Sequence, residues 1–548
     1  MEQALFLKSA DQSSLFDVET YFQGVLPQDD WSLIYRDRIL PLIDEEEFQH
    51  LYNPTEGRPN APIKVMLSLL IFMGMERLSW RGVEFQFSRR LDWLCATRTP
   101  VVRNPIDHTT LFKFYQRLEG DETALELFVR LTEQFIKACG TSIKKQRTDS
   151  FYMHGWLRIL SRYGLFKETI RKFLLNLRKQ KPGLYEKIKG QLSQNYLGKE
   201  FDLTEKDHEL AQRKVALMAQ DLYRLQTAFS SHKQVGHYES FKILCQIFNQ
   251  QCQVKEGHQS DPEIVIKEKP DKDAICTPHN PEARYVRKGK QRVTGDKAVI
   301  TETCDKENQT QFLLDVDVHA ANHYDGKDQE PVQQRLIENK FKPEQQYCDA
   351  GFVNGQTILN SEKNGITLEG PTPGHSQSFE SYNSANRRFD AADFKVHYDQ
   401  DTRTMAIQSC PLGQIPINQH RSIKTEEMLV HFDPRICRAC EHTARCPVNA
   451  GKRVATWKID EIEYISALRH HLYMEDSGYR KQCAIRAGVE ATVSEMTRVH
   501  GVRKSRHRSR SRTKLQLIFA AMACNVKRFI RHGQNYGYLP PKMALEVA

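Results

Sequence analysis

Lys297-Ala298-Val299-Ile300-Thr301-Glu302-Thr303 and Phe312-Leu313-Leu314-Asp315-Val316-Asp317-Val318 are the two stretches on which the fold turns. Both carry β-branched and apolar residues with strand-like alternation. Lys144–Tyr152 reads as a shorter strand that passes from basic to β-forming residues around Asp149, and Lys342–Cys348 and Ile366–Gly370 follow in the same style. A β-rich centre that is interrupted and followed by helices predicts an α/β domain carrying insertions.

Working outward, Trp31 to about Cys139 has a helical pattern. Pro62–Met73 reads as a buried helix opened by proline, Ser79–Trp93 as a second, and Asp107 as the N-cap of a third that includes Thr109-Thr110-Leu111-Phe112. Two helices, a break at Pro100/Pro105 and a helix with a polar and basic opening fit either a helix-turn-helix or a plain helical bundle. From about Gly164 to Gln250 the pattern is charged helices, then a polar loop over 251–282, while Pro371–Val448 reads as irregular. Beyond Asp460 the pattern is helical to about His532.

Length and composition narrow the class. The 548 residues correspond to roughly three or four domains. With 39% hydrophobic and 27% charged residues the chain can bury a core. Thirteen cysteines are too few for a disulfide scaffold, and Glu2 and Gln3 do not resemble a secretory leader, so reduced thiols in a cytosol are expected. The apolar runs Val65–Met75 and Leu515–Val526 fall short of the ~18 residues that span a bilayer. The net charge is +10, and eleven of the 79 Lys/Arg residues lie between Arg498 and Arg531, where there is no acid. The other 68 basic residues face 69 acidic ones, so the excess sits in one place. Within it, His500–Lys514 alternates cations with Ser, Gly and His and predicts an exposed basic loop or helix edge that neutralises phosphates.

Three carboxylates stand out by context. Asp149 lies near the end of the first central strand, Asp349 at a strand end before a glycine turn (Asp349-Ala350-Gly351-Phe352), and Glu490 in a helix. Carboxylates from separate elements can hold a pair of Mg²⁺ ions for phosphodiester chemistry. On one continuous helix at 100° per residue, Cys483, Arg486, Glu490 and Thr497 fall within about 60° of arc, with Ile485, Val489 and Met496 opposite. That pattern fits a site-facing stripe or an ordinary Arg–Glu surface pair. Cys410, Cys437, Cys440 and Cys446, with His431 and His442 nearby, form C-x26-C-x2-C-x5-C, a candidate structural Zn²⁺ site whose alternative is a set of reduced thiols.

Several stretches together carry a family resemblance. They are Gly57-Arg58-Pro59 with Trp80-Arg81, Thr109–Phe112, Arg147-Thr148-Asp149-Ser150 with Ser161-Arg162, and His279-Asn280-Pro281-Glu282-Ala283-Arg284. Ala321-Asn322 with Asp325, Asp349-Ala350-Gly351-Phe352, Cys410-Pro411-Leu412-Gly413 and Cys437–Cys446 continue them. Arg486–Glu490, His500-Gly501-Val502-Arg503 and Asn525-Val526-Lys527-Arg528 complete the set, in order over roughly residues 30–532. In these the chain resembles the DDE transposases of bacterial insertion sequences, in the group with a helical N-terminal domain and an interrupted catalytic domain.

The resemblance implies an RNase H-like mixed sheet with insertions, preceded by an all-α N-terminal domain. Asp149, Asp349 and Glu490 would be the catalytic ligands of Mg²⁺ or Mn²⁺, and Arg486 a phosphate contact. Similar enzymes cut the 3′ ends of their element with water, and the freed 3′-OH then attacks target DNA. The expected partners are double-stranded element ends and target DNA, with a homodimer in the complex, in a bacterial cytoplasm at the nucleoid. Arg498, Arg503, Lys504, Arg506, Arg508, Arg510 and Arg512 are the expected DNA-binding cations. Cys483 and Thr497 stand where the family's Tyr-Arg-Glu-Lys signature has tyrosine and lysine, and Gly295-Asp296-Lys297 replaces a glycine-aromatic-lysine motif. Asp325 is a competing second acid whose alternative is a loop residue capping the next helix, and Asp315 and Asp317 alternate on a strand with the same facing and are not assigned to the site.

The expected division is a lead-in at 1–28, a helical DNA-binding domain at 29–140 and a catalytic core at 141–163 and 283–365. A helical insertion with its loop occupies 164–282 and a cysteine-bearing insertion 366–458. The catalytic helix, basic segment and C-terminal helix span 459–532, before a tail at 533–548. A zinc-containing DNA-binding regulator, an inert decayed transposase and an RNase H-like nuclease without strand transfer are the alternatives.

Overall fold

A run of apolar side chains starting at Ile63 leaves no polar face, so the helix it forms must be buried on all sides. In the computed structural model α1 (Ile63–Met75) is buried at ten of its first eleven positions. The described residues are 24–53, 59–101, 106–155, 160–198, 208–255, 262–289, 291–374, 378–423 and 425–539, with Phe6, Lys8 and Val18. Most of the 1–28 lead-in, Gly57-Arg58, Pro105 and the end of the 533–548 tail lie outside them.

The expected helix over Ser79–Trp93 is two, α2 (Trp80–Phe87) and α3 (Leu91–Ala96). They part at Arg90, whose backbone is extended and whose guanidinium takes Glu76 and Asp92. α4 (His108–Arg117) is capped as read: Asp107 accepts from the backbone N–H groups of Thr109 and Thr110 at 2.8 and 2.9 Å. α5 (Thr123–Cys139) ends at Gly140, with φ +61°.

Then comes β1 (Lys145–His154). Four helices follow, α6 (Arg162–Gln180), α7 (Pro182–Lys189), α8 (His208–Phe229) and α9 (Glu239–Gln251), around their own apolar core. The predicted loop after them opens instead with a hairpin, β2 (Cys252–Lys255) and β3 (Glu263–Ile266), because Ile264 and Ile266 find apolar cover on that helical core.

The chain returns through β4 (Arg284–Lys288), β5 (Gln291–Thr303), β6 (Leu313–Ala320), α10 (Gln329–Glu338), β7 (Gln345–Tyr347), α11 (Gly355–Lys363) and β8 (Thr367–Glu369). The sheet is mixed, in the order β4-β5-β1-β7-β8 with β6 also on β5. β1 is antiparallel to β5, which is antiparallel to β6, while β1, β7 and β8 are mutually parallel. Gly295, at φ +154°, lets β5 pass against the Met153 carbonyl where a Cβ would collide. Beneath the sheet, Gln346 donates to Thr148 at 2.8 Å and accepts from Gln329 and Gln333 of α10, all buried. This satisfied polar patch fixes α10 to the sheet.

Residues 371–448, predicted irregular, hold a β hairpin and part of a small sheet. The hairpin is β9 (Lys395–Asp399) and β10 (Thr404–Ser409). The sheet comprises β11 (Asn418–Arg421), β12 (Met428–Phe432), β13 (Asn449–Ala450) and β14 (Ala455–Ile459), in the order β11-β12-β14-β13. Phe394, Ile407, Val430, Phe432 and Trp457 form its core.

The C-terminal part contains α12 (Glu461–Glu475), α13 (Ser477–Cys483), α14 (Val489–Arg498) and α15 (Arg510–Tyr536). α15 packs on α1, α5 and β6, so one apolar core runs through the N-terminal helices, the sheet and α15. The N-terminal helices are thus a bundle closed by the far end of the chain. At the edge of β6 the buried Asn525 side chain accepts from the Leu313 N–H and donates to its carbonyl, at 2.9 and 2.8 Å, sealing backbone that no strand covers there.

Candidate active site

Asp149 occupies the middle of β1, opposite Ile300 of β5. Its carboxylate accepts the Ser150 N–H at 2.7 Å and the Arg486 guanidinium at 3.0 Å. β7 runs parallel to β1, so Asp349, just past β7, reaches the same edge of the sheet. There the chain turns: the Phe352 and Val353 N–H groups donate to the Asp349 carbonyl, and Gly351 N–H to its carboxylate at 2.8 Å. A Cβ on Gly351 would lie 3.0 Å from an Asp349 oxygen and 3.3 Å from one of Asp325, so two acids border that glycine.

Burial first, then the Asp349 charge, pushes Asp149 up to about 6, against the opposing pull of the Ser150 N–H and Arg486; Asp325 adds to the rise. The rise is mainly the effect of burial, to which the neighbouring acids add and which Arg486 only partly offsets. Oxygen donors held this way fit a hard divalent cation. Asp325 does not cap a helix as expected. Asp328 takes that position at α10, and Asp325 opens a 3₁₀ turn and accepts the Lys297 ammonium at 2.9 Å. Lys297 also donates to the His323 carbonyl at 2.6 Å. The altered Gly295-Asp296-Lys297 thus supplies a backbone crossing, a buried acid for Arg510 and a cation for Asp325. Asp315 is paired on both oxygens with Arg335 at 2.8 and 2.7 Å, away from the three acids in its contacts.

The stripe expected from a continuous helix does not form. A 3₁₀ turn, Ala484–Gly488, separates α13 from α14 and changes the phase. Cys483 and Thr497 are buried, whereas Glu490 is exposed in the first turn of α14 and makes no ion pair among the described residues. The turn is pinned by Arg147, which donates to the Ile485 carbonyl at 2.9 Å and leaves no room for a side chain at Gly488. This holds Arg486 over Asp149.

Beside the acids lies a compensated network. Glu302, fully buried on β5, accepts from Arg147 at 2.8 Å, Thr492 at 2.7 Å and Arg528 at 3.2 Å. Arg528 also takes Glu495 at 2.7 Å. Although burial opposes its charge, the neighbouring His500 ring and Arg528 hold Glu495 down at about 2.

The basic segment is not the loose loop expected. Lys504 bridges His154, extending the sheet beside β1, and Val502, Ser505 and His507 are buried. Arg506 donates to the Leu78 carbonyl at 2.6 Å, Arg510 to Asp296 at 3.2 Å and the Glu282 carbonyl at 2.6 Å, and Arg512 to Glu119 at 2.5 Å. These three arginines strap the helical bundle to the sheet. Arg498, Arg503, Lys504 and Arg508 remain exposed. The tight polar-basic alternation hid small buried side chains that pack without a large apolar residue.

Cys410, Cys437, Cys440 and Cys446 line one cavity with Leu412, Phe432, Ile436 and Val448. The Gln414 N–H points at the Cys410 sulfur at 3.3 Å and the His442 N–H at that of Cys440 at 3.4 Å, while burial pushes the Cys437 and Cys446 thiols up. All four are free thiols that fit a soft N/S-binding dication such as Zn²⁺. His431 and His442 contact Thr456 and Arg445 instead.

Asp149, Asp349 and Asp325 thus neighbour one another on the sheet, with Arg486 against Asp149. Residues 409–530 match the family model described as Transposase DDE domain, and residues 22–117 match the one described as Transposase domain (DUF772). No curated protein and no solved structure matches the chain. The two family matches, at opposite ends of the chain, support an insertion-sequence DDE transposase. Glu490 and the basic segment lie within the first match, whereas Asp149 and Asp349 lie outside both. No described helix is long and apolar enough to cross a membrane.

Proposed function

We propose that this chain cleaves the ends of an insertion sequence and transfers the resulting 3′-OH ends into target DNA, on an RNase H-like core. The observation that carries the reading is the convergence of Asp149 and Asp349 at one sheet edge, with Asp149 pushed up to about 6. The strand order, with three antiparallel strands followed by two parallel to the first, supports the fold. Asp149, Asp349 and Glu490 hold Mg²⁺ or Mn²⁺, which when bound activates the attacking oxygen and stabilises the leaving one. Arg486, held against Asp149, contacts a phosphate of the duplex near the cut, while Arg498, Arg503, Lys504 and Arg508 hold the DNA backbone. The helical bundle reads the ends, two copies act on paired ends, and the cysteine cluster binds a structural Zn²⁺. The protein works at the bacterial nucleoid, in the cytoplasm.

Asp149→Ala, Asp349→Ala and Glu490→Ala each abolish Mg²⁺-dependent nicking of end DNA while retaining duplex binding in a gel-shift assay. Wild-type cleavage by any one variant removes that residue from the set. Strand transfer from precut ends separates transposition from simple nuclease action.

A further inference from the structure

A second group of metal-ligating side chains stands apart from the carboxylates assigned above. His319 is the last but one residue of β6, His323 lies in the following loop, and Asp328 precedes α10. The His323 Nε2 lies 2.7 Å and the His319 Nε2 3.1 Å from the same oxygen of Asp328. The imidazoles stack with centroids 4.5 Å apart and planes 19° from parallel. The ligand atoms of all three residues lie within 4.8 Å of one another.

Two features of Asp328 are unexplained by hydrogen bonding alone. It occupies the N-cap position of α10, where an aspartate usually accepts a backbone N–H, yet its side chain caps nothing. It is only 2% exposed, and its second carboxylate oxygen has no hydrogen-bond partner. A buried carboxylate oxygen of this kind calls for a ligand.

We propose that His319, His323 and Asp328 form a binding site for a borderline first-row dication, Zn²⁺ above all. Two imidazoles and one carboxylate suit Zn²⁺ and leave a position for water, whereas Mg²⁺ prefers all-oxygen donors. The local charges admit it: Asp315, Asp317, Asp325 and Asp328 face Arg335, Lys514 and Lys297. The ion ties the end of β6 to the start of α10. Asp325, which borders Asp349 at Gly351, lies between its ligands His323 and Asp328 in the chain. The site therefore braces the segment that carries Asp325. It shares no ligand with the proposed Mg²⁺ site, and its occupancy is measured without DNA, so it stands or falls separately from the transposition reading.

The test uses the full chain, stripped with chelator and titrated with Co²⁺ as a spectroscopic probe, followed by Zn²⁺ analysis. The wild type takes up about one Co²⁺ that shows weak ligand-field absorption and no thiolate charge-transfer band, and excess Mg²⁺ does not displace it. His323→Gln and the near-isosteric Asp328→Asn lose this absorption and about one equivalent of Zn²⁺, and retain any thiolate band from the cysteine cluster. The wild-type titration needs no variant to fold. If every bound Co²⁺ shows thiolate character, or if a folded His323→Gln protein keeps the same spectrum and zinc content, the site is overturned.

Discussion

Asp149 and Glu302 are acids on neighbouring strands of one sheet, both within reach of the segment that carries Arg486 and α14. Glu302 is fully enclosed, yet Arg147, Arg528 and Thr492 meet its oxygens. Asp149 is less enclosed and less well compensated, with other acids beside it and a single arginine against them. Burial alone therefore does not mark a reactive carboxylate. Compensation withheld does, because a charge left short of partners can bind something else.

The largest stability effect belongs to the compensated side. Arg528→Met leaves buried Glu302 with Arg147 and Thr492 alone and takes its arginine from half-buried Glu495, and urea unfolding at neutral pH should register a loss of about 3–5 kcal/mol. A loss under about 1 kcal/mol would mean that Glu302 does not need Arg528 beside Arg147, and the contrast with Asp149 would narrow to one arginine on each acid.

Asp149→Asn should do the opposite. A carboxyl raised to about 6 in the folded protein binds its proton more tightly there than in the unfolded chain. Its contribution is fully present below the ordinary carboxylate range and is lost as pH rises through 6. The asparagine variant should therefore be more stable than wild type at neutral pH, by on the order of 3 kcal/mol before the weakened Arg486 contact is deducted, and the gain should vanish near pH 4. Denaturation at both pH values measures it. Greater stability of wild type at neutral pH would show that Arg486 already satisfies Asp149.

The smallest effect divides the basic segment. Neutralising Arg503 and Arg508 should lower the salt slope of DNA binding by about two units and leave stability unchanged. Arg506→Ala with Arg510→Ala should cost about 1–3 kcal/mol of stability and barely move the slope, since both side chains are spent on protein carbonyls and Asp296. Equal slopes for the two pairs would return Arg506 and Arg510 to the DNA surface.

Much of the fold was legible in the chain. The alternation in Lys297–Thr303 and Phe312–Val318 marked two central strands, and Asp107 announced its helix, because strand period and capping are local properties. Asp349 follows a strand end as its sequence setting suggests, whereas Asp149, expected near a strand end, lies in the middle of β1. Arg486 was named, but not its partner, since Arg147 and Asp149 lie on a strand far along the chain. The uninterrupted helix over Cys483–Thr497 was wrong for the same reason: nothing local to Ala484–Gly488 reports the guanidinium that tightens it. Asp325 was misjudged because Lys297, which holds it, comes from β5.

The +10 charge, its concentration after Glu490 and the periodicity of the elements follow from composition and order alone, being sums and local spacings. Which of those cations face solvent, which acids share an edge and which acid is left uncompensated are set by contacts between residues remote in sequence. Such contacts exist only after the core that joins the N-terminal bundle, the sheet and α15 has closed.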